Sequence, residues 1–126
     1  MSQIANLSLN NGTAAVVFTV TGAQAGTDTP ASWKNGTSAI NAVRINALER
    51  RVKGAPRSKT SIRIVMPIVR LVDGIEELVD TATVSLELTK PDILTTANRQ
   101  VLRNYISNIV KDAMIVDMID SDSPAY

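Results

Sequence analysis

Between Arg44 and Arg70 the sequence sets eight basic residues, Arg44, Arg50, Arg51, Lys53, Arg57, Lys59, Arg63 and Arg70, against one acid, Glu49. Guanidinium and ammonium groups at this density suit the neutralisation of phosphates, the salt-sensitive term that dominates nucleic-acid affinity. From Leu71 to Asp92 the balance reverses, with Asp73, Glu76, Glu77, Asp80, Glu87 and Asp92 against Lys90 alone, so a formal net charge of +1 conceals a strong internal asymmetry. A basic block by itself is more often a solvated face than a nucleic-acid site, and its meaning depends on the elements that carry it.

Other chemistries lose their usual carriers. The chain has no histidine and no cysteine, which removes the commonest general base, the Ser-His and Cys-His nucleophile pairs, disulfide frameworks and thiolate zinc sites. The remaining Asp, Glu, Lys, Ser and Tyr residues form no recognisable catalytic set, and no cofactor is expected. Asp112, Asp117, Asp120 and Asp122 lack the glycine and terminal glutamate of an EF-hand loop and read as a solvated acidic end. With four aromatics, Phe18, Trp33, Tyr105 and Tyr126, base stacking has few candidates and RNA contact must lean on charge. Met1-Ser2-Gln3 lacks the basic start and apolar stretch of a signal peptide, and no apolar run reaches bilayer length, so a soluble chain with no membrane association is expected.

The apolar pattern supplies the scaffold. Ile4, Leu7 and Leu9 precede the turn signal Asn10-Asn11-Gly12, and Ala14 to Thr21 then runs β-branched, which predicts a hairpin. Thr21 to Ser38 has a loop composition, with room for a short strand around Trp33-Lys34. Ile40 to Val52 alternates, placing Val43, Ile45 and Ala47 opposite Arg44, Asn46 and Leu48; periodicity favours a strand, although a helical face also fits. A turn at Lys53 to Ser58 leads into Lys59 to Leu71, where Thr60, Ile62 and Ile64 alternate with Lys59, Ser61 and Arg63, and Pro67 predicts a bulge, an edge or a local end of pairing.

After a turn at Val72-Asp73-Gly74-Ile75, Asp80 to Thr89 gives the cleanest alternation, with Ala82, Val84, Leu86 and Leu88 opposite Thr83, Ser85 and Glu87. Thr95 or Thr96 is placed to cap a helix bearing Val101, Leu102, Tyr105, Ile106, Ile109, Val110 and Ala113 at helical spacing, and a second short helical turn is expected beyond Ala113. The sum is one α+β domain over residues 1–126, an antiparallel sheet over roughly 3–90 and a helical region over roughly 95–119. One helix about 10 Å wide covers only part of a sheet of five or so strands. The remaining apolar face calls for a partner, and a dimer with Val101, Leu102, Tyr105, Ile106 and Ile109 at its interface is expected.

Local strings carry a resemblance. Trp33 before the basic hairpin, Thr60-Ser61-Ile62-Arg63-Ile64-Val65-Met66-Pro67, Val84-Ser85-Leu86-Glu87-Leu88-Thr89 followed by Pro91 one residue on, and a polar tail ending in Tyr126 occur in the order and spacing of the coat proteins of single-stranded RNA bacteriophages, the leviviruses. This chain resembles that family over nearly its whole length.

The resemblance implies a subunit with an N-terminal hairpin and a C-terminal helix that interlocks with its partner. Such dimers assemble in the bacterial host cytoplasm into a quasi-equivalent icosahedral shell, so the chain would reside in the virion. It further implies that the inward sheet face binds a hairpin of the single-stranded RNA genome, with translational repression as a possible consequence, through Arg44, Asn46, Lys59, Ser61, Arg63, Thr83, Ser85 and Glu87. Where characterised relatives place a stacking tyrosine this sequence has Thr83, which implies a different hairpin or weaker selectivity. Glu87 would need a neighbouring cation such as Arg63. Arg70 to Asp80 resembles the family's switching loop, though shorter and more acidic. The alternative from another class is a free dimeric single-stranded nucleic-acid-binding module.

Overall fold

The computed structural model describes residues 4–36 and 40–124. Met1 to Gln3, Ser38 at the end of the expected loop and Tyr126 in the tail lie outside the described residues. The chain divides between Pro91 and Asp92 into two compact units.

The first unit is a six-stranded antiparallel sheet whose strands neighbour one another in sequence order: β1 (Leu7–Asn10), β2 (Ala15–Gly22), β3 (Ala31–Asn35), β4 (Val43–Arg51), β5 (Arg57–Val72) and β6 (Ile75–Pro91). The alternation of β-branched and polar residues that suits a pleated, two-faced surface holds through the ladders. Trp33 lies opposite Ile45, Ile45 opposite Ile64, and Ile64 opposite Val84, so the apolar positions of four strands share one face. Among the described residues the buried hydrophobic ones are Phe18, Ala42 and Ile45, at 8%, 2% and 4% exposure, a small core for a sheet of this size. Toward one end of that face, Lys90 holds both carboxylate oxygens of Glu49 at 2.9 Å, and Thr60 donates to the same carboxylate.

Three segments refine or correct the sequence expectation. Ala31–Asn35 is a strand paired on both sides, with β2 and β4, which bears out the short strand allowed around Trp33-Lys34 and extends it within an otherwise loop-like stretch; its polar composition hides a conformation imposed by its neighbours. Pro67 does not interrupt β5, since it stays in register opposite Thr81. The β4–β5 ladder ends at Arg44–Val65, so Pro67 sits just past a local end of pairing where β5 has a neighbour on one side only, which bears out the edge position expected of it, and a missing N–H is tolerated there. The irregularity comes one step later, between Ile68 and Val69, where Val79 of β6 is the extra residue of a bulge. Finally, Arg70 to Asp80 is no open loop. Pairing continues to Val72–Ile75, and Asp73 and Gly74, both at positive φ (51° and 79°), make the two-residue connection of a tight hairpin.

The second unit contains α1 (Thr96–Ile109) and α2 (Ala113–Ser121). Thr95 is the N-cap of α1, its hydroxyl accepting from the Asn98 amide at 3.2 Å. Asp112 caps α2 by accepting from the Met114 amide at 3.0 Å, so this acid closes a helix end instead of standing free in the acidic tail. The expected second turn is a helix of nine residues. Neither helix has a buried residue. Among the described residues no helix is long and apolar enough to cross a membrane.

Candidate nucleic-acid interface

Strand register decides which side chains share the face opposite the apolar one. Four cross-strand rows do: Lys34–Arg44–Val65–Thr83, Ser32–Asn46–Arg63–Ser85, Leu48–Ser61–Glu87, and Arg50–Lys59–Thr89. All eight residues singled out from the sequence, Arg44, Asn46, Lys59, Ser61, Arg63, Thr83, Ser85 and Glu87, fall in these rows. From the first row to the last is six residues along a strand, about 20 Å at the usual rise, a span suited to a few nucleotides of extended backbone.

Charge is not uniform across the face. Glu87 pairs with Lys59, not with Arg63. Both cations stand diagonally from Glu87 across the β5–β6 ladder, and the pairing chosen leaves Arg63 with no ion-pair partner among the described residues. Lys59 is therefore partly neutralised within the chain, while Arg63 is available to an external anion.

The two middle rows border a groove of about 400 Å³ whose lining includes Asn46, Ser61, Arg63, Ser85 and Glu87, with Asp28 and Pro30 from the β2–β3 connection at its rim. Sequence reasoning missed Asp28 and Pro30, because they belong to a loop whose placement depends on a long-range contact. Gln24 makes that contact. Its side chain takes the place of a strand neighbour, accepting from the Glu49 amide at 3.0 Å and donating to the Glu49 carbonyl at 2.6 Å. Reciprocal backbone bonds between Ala25 and Thr29, at 3.0 and 3.3 Å, then close the loop that carries Asp28.

On the opposite face, partial burial alone would raise the Glu49 carboxyl, but hydrogen bonds from Thr60, Lys90 and Ser58 and the charge of Lys90 outweigh it and hold the group below its ordinary value of 4.5. Glu49 is thus kept as a carboxylate that joins β4, β5 and β6 and is absent from the polar face.

The proposed partner-facing residues lie on α1. Val101, Tyr105 and Ile109 are exposed, and Leu102 and Ile106 are half-buried. Tyr105 and Ile109 line a depression with Asn108, Asp112, Met114 and Ile115, so α2 adds apolar groups to the stripe that sequence reading placed on α1.

A meander sheet with one basic polar face, one apolar face with a small core, and a pair of terminal helices with exposed apolar stripes defines a subunit made to associate. The levivirus coat protein family model matches residues 2–126, and the chain belongs to that family. It is a viral capsid protein, a structural component and not an enzyme. Among solved structures it is similar to the virus-like particle protein of Beihai levi-like virus 21, at 20% identity and TM-score 0.89 over 99% of both chains. It is also similar to the capsid protein of bacteriophage GA, at 26% identity and TM-score 0.73 over 96% of both. A bacteriophage coat protein described as an unassembled RNA-binding dimer matches at 24% identity and TM-score 0.68, over 97% of this chain and 95% of that one. No curated protein matches the sequence.

Proposed function

We propose that this coat protein forms homodimers that close into an icosahedral shell in the host cytoplasm and bind the single-stranded RNA genome on the polar sheet face. On that reading a genomic RNA hairpin occupies Arg44, Asn46, Lys59, Ser61, Arg63, Thr83, Ser85 and Glu87, and its capture represses translation. The observation that carries the reading is the common face: eight residues from three strands lie in adjoining rows, with Arg63 uncommitted among them. Cations supply phosphate attraction, while the amide of Asn46 and the hydroxyls of Ser61, Thr83 and Ser85 offer donors and acceptors to base edges.

Dimerisation rests on what the chain leaves uncovered. β6 is an edge strand, seventeen residues long and without a buried residue, whereas β1 at the other edge has four residues. A long open edge of this kind is a template for another strand, and pairing two copies edge to edge about a twofold axis satisfies both at once. Val101, Leu102, Tyr105, Ile106 and Ile109 then add an apolar contact between copies. The unassembled RNA-binding dimer among the similar structures supports the same stoichiometry.

Expression of the chain alone followed by electron microscopy tests assembly: closed particles are expected, whereas dimers only would favour the free nucleic-acid-binding module. RNA retained by the particles, and its loss with rising salt, tests the polar face.

A further inference from the structure

We infer that the groove on the polar face is a guanine-selective subsite, with the Asp28 carboxylate as its discriminating acceptor. The inference rests on the RNA-binding reading above and names the base that the site takes.

Two carboxylates, Asp28 and Glu87, border a groove in the middle of an otherwise basic face. Phosphate is repelled from such a place, so the backbone runs over the cationic rows on either side, Lys34–Arg44 and Arg50–Lys59, and a base enters between them. Glu87 is already engaged by Lys59. Asp28 has no hydrogen-bond or ion-pair partner among the described residues, and its loop is fixed by the Gln24–Glu49 bonds and the Ala25–Thr29 bridge. An unpaired acceptor on a braced loop is suited to reading a donor.

The chemistry selects among bases. A carboxylate has two oxygens and accepts two parallel N–H donors, which guanine alone presents side by side, at N1 and the N2 amino group. Guanine also carries the O6 and N7 acceptors that a guanidinium engages in pairs, and the uncommitted Arg63 lines the same groove. Adenine offers one amino group beside an acceptor nitrogen, and uracil a single imino N–H, so each leaves Asp28 with a poorer match.

The test measures binding of the full chain, freed of host RNA, to short uridine oligonucleotides carrying one central guanosine, inosine, adenosine or uridine. Guanosine should bind about tenfold more tightly than adenosine or uridine, the discrimination typical of a paired contact, and inosine, which lacks the N2 amino group, should fall between. Asp28→Asn should reduce the guanosine advantage to about twofold or less, with salt-dependent binding of the all-uridine oligonucleotide still measurable. Asp28→Ala should do the same. An undiminished guanosine advantage in both variants, or equal binding of all four oligonucleotides by the unaltered chain, overturns the assignment while leaving RNA binding in place. Failure of every oligonucleotide to bind in a salt-dependent way, with Arg63→Ala changing nothing, removes the RNA-binding reading beneath it and the assignment with it.

Discussion

The long β5–β6 hairpin is two different objects along its length. In its inner half, Arg57–Val65 against Thr83–Pro91, β4 lies alongside and the faces segregate: Ile62, Ile64, Val84 and Leu86 on one side, Lys59, Ser61, Arg63 and Ser85 on the other. In its outer half, Met66–Val72 against Ile75–Ala82, β4 has ended and the bulge at Val79 resets the alternation. Val69 and Leu78 then point to the side of Arg63, and Val72 and Ile75 to the other. Leu71 and Ile75 near the tip are 72% and 71% exposed. The inner half has the residues that one folded chain requires. The outer half, a two-stranded ribbon apolar on both sides, has residues that make sense only against something outside that chain, because such a ribbon alone is marginally stable in water. Its internal supports are few: the Asp73-Gly74 turn and a 3.7 Å Arg70–Glu77 contact across the strands.

Substitution in each half separates the two roles. Ile45→Asp, beside the inner half, buries an unpaired charge and should cost several kcal/mol, leaving no cooperative thermal transition. Leu71→Asp should change subunit stability by about 0.5 kcal/mol or less, as exposed sites usually do, while abolishing closed particles in electron microscopy. Equal loss of stability in the two variants would end the distinction.

A smaller effect is expected at the turn. Gly74 sits at φ 79°, and a β-branched side chain there costs about 1–2 kcal/mol. Gly74→Val should speed amide hydrogen exchange across residues 70–78 and leave the amides of residues 58–65 protected. Faster exchange in both stretches would mean that the hairpin opens as one unit.

The salt dependence of RNA binding sharpens the contrast further. Even when directed at a base, the Arg63 charge attracts the nearby phosphates, so Arg63→Ala should lower the slope of log affinity against log salt by at most about 0.7, the share of one phosphate contact in single-stranded RNA. Lys59→Ala should lower it less, since Glu87 already engages that ammonium, and Arg70→Ala in the outer half should leave it unchanged.

Least of all is the effect at Glu49. Its carboxyl is held below 4.5 in the folded chain, so its stabilising contribution is complete above the unfolded value and is lost as pH falls through the folded one. Half exposure of the side chain limits the contribution to about 1 kcal/mol or less. Glu49→Gln should flatten the acid limb of the stability curve, and an unaltered limb would place the acid-sensitive group elsewhere.

Much of this was legible in the sequence. Period-two alternation assigned Val43, Ile45 and Ala47 to one face and Arg44 and Asn46 to the other, and the β4–β5 register agrees. Helical spacing located α1, and Thr95 its cap. What escaped was set by contacts distant in sequence. The short strand allowed around Trp33-Lys34 extends over Ala31–Asn35 because two strands flank it, and Asp28 reaches the groove because Gln24 binds a backbone twenty-five residues away. The choice of Lys59 over Arg63 as partner of Glu87 could not be read from spacing, since both stand two residues off along β5. Pro67 was a fair warning of irregularity, displaced by a step because the loss of β4 leaves room for a missing donor.

One contact within the sheet unit has a practical side. The single tryptophan, Trp33, donates its indole N–H to the Ala5 carbonyl at 2.8 Å and stands opposite Val20 and Ile45 on the apolar face. Its ring bridges the segment before β1, the N-terminal hairpin and the centre of the sheet. Its fluorescence is therefore an intrinsic probe of whether the N-terminal strands have closed on the rest, with no label added and no second indole to blur the signal.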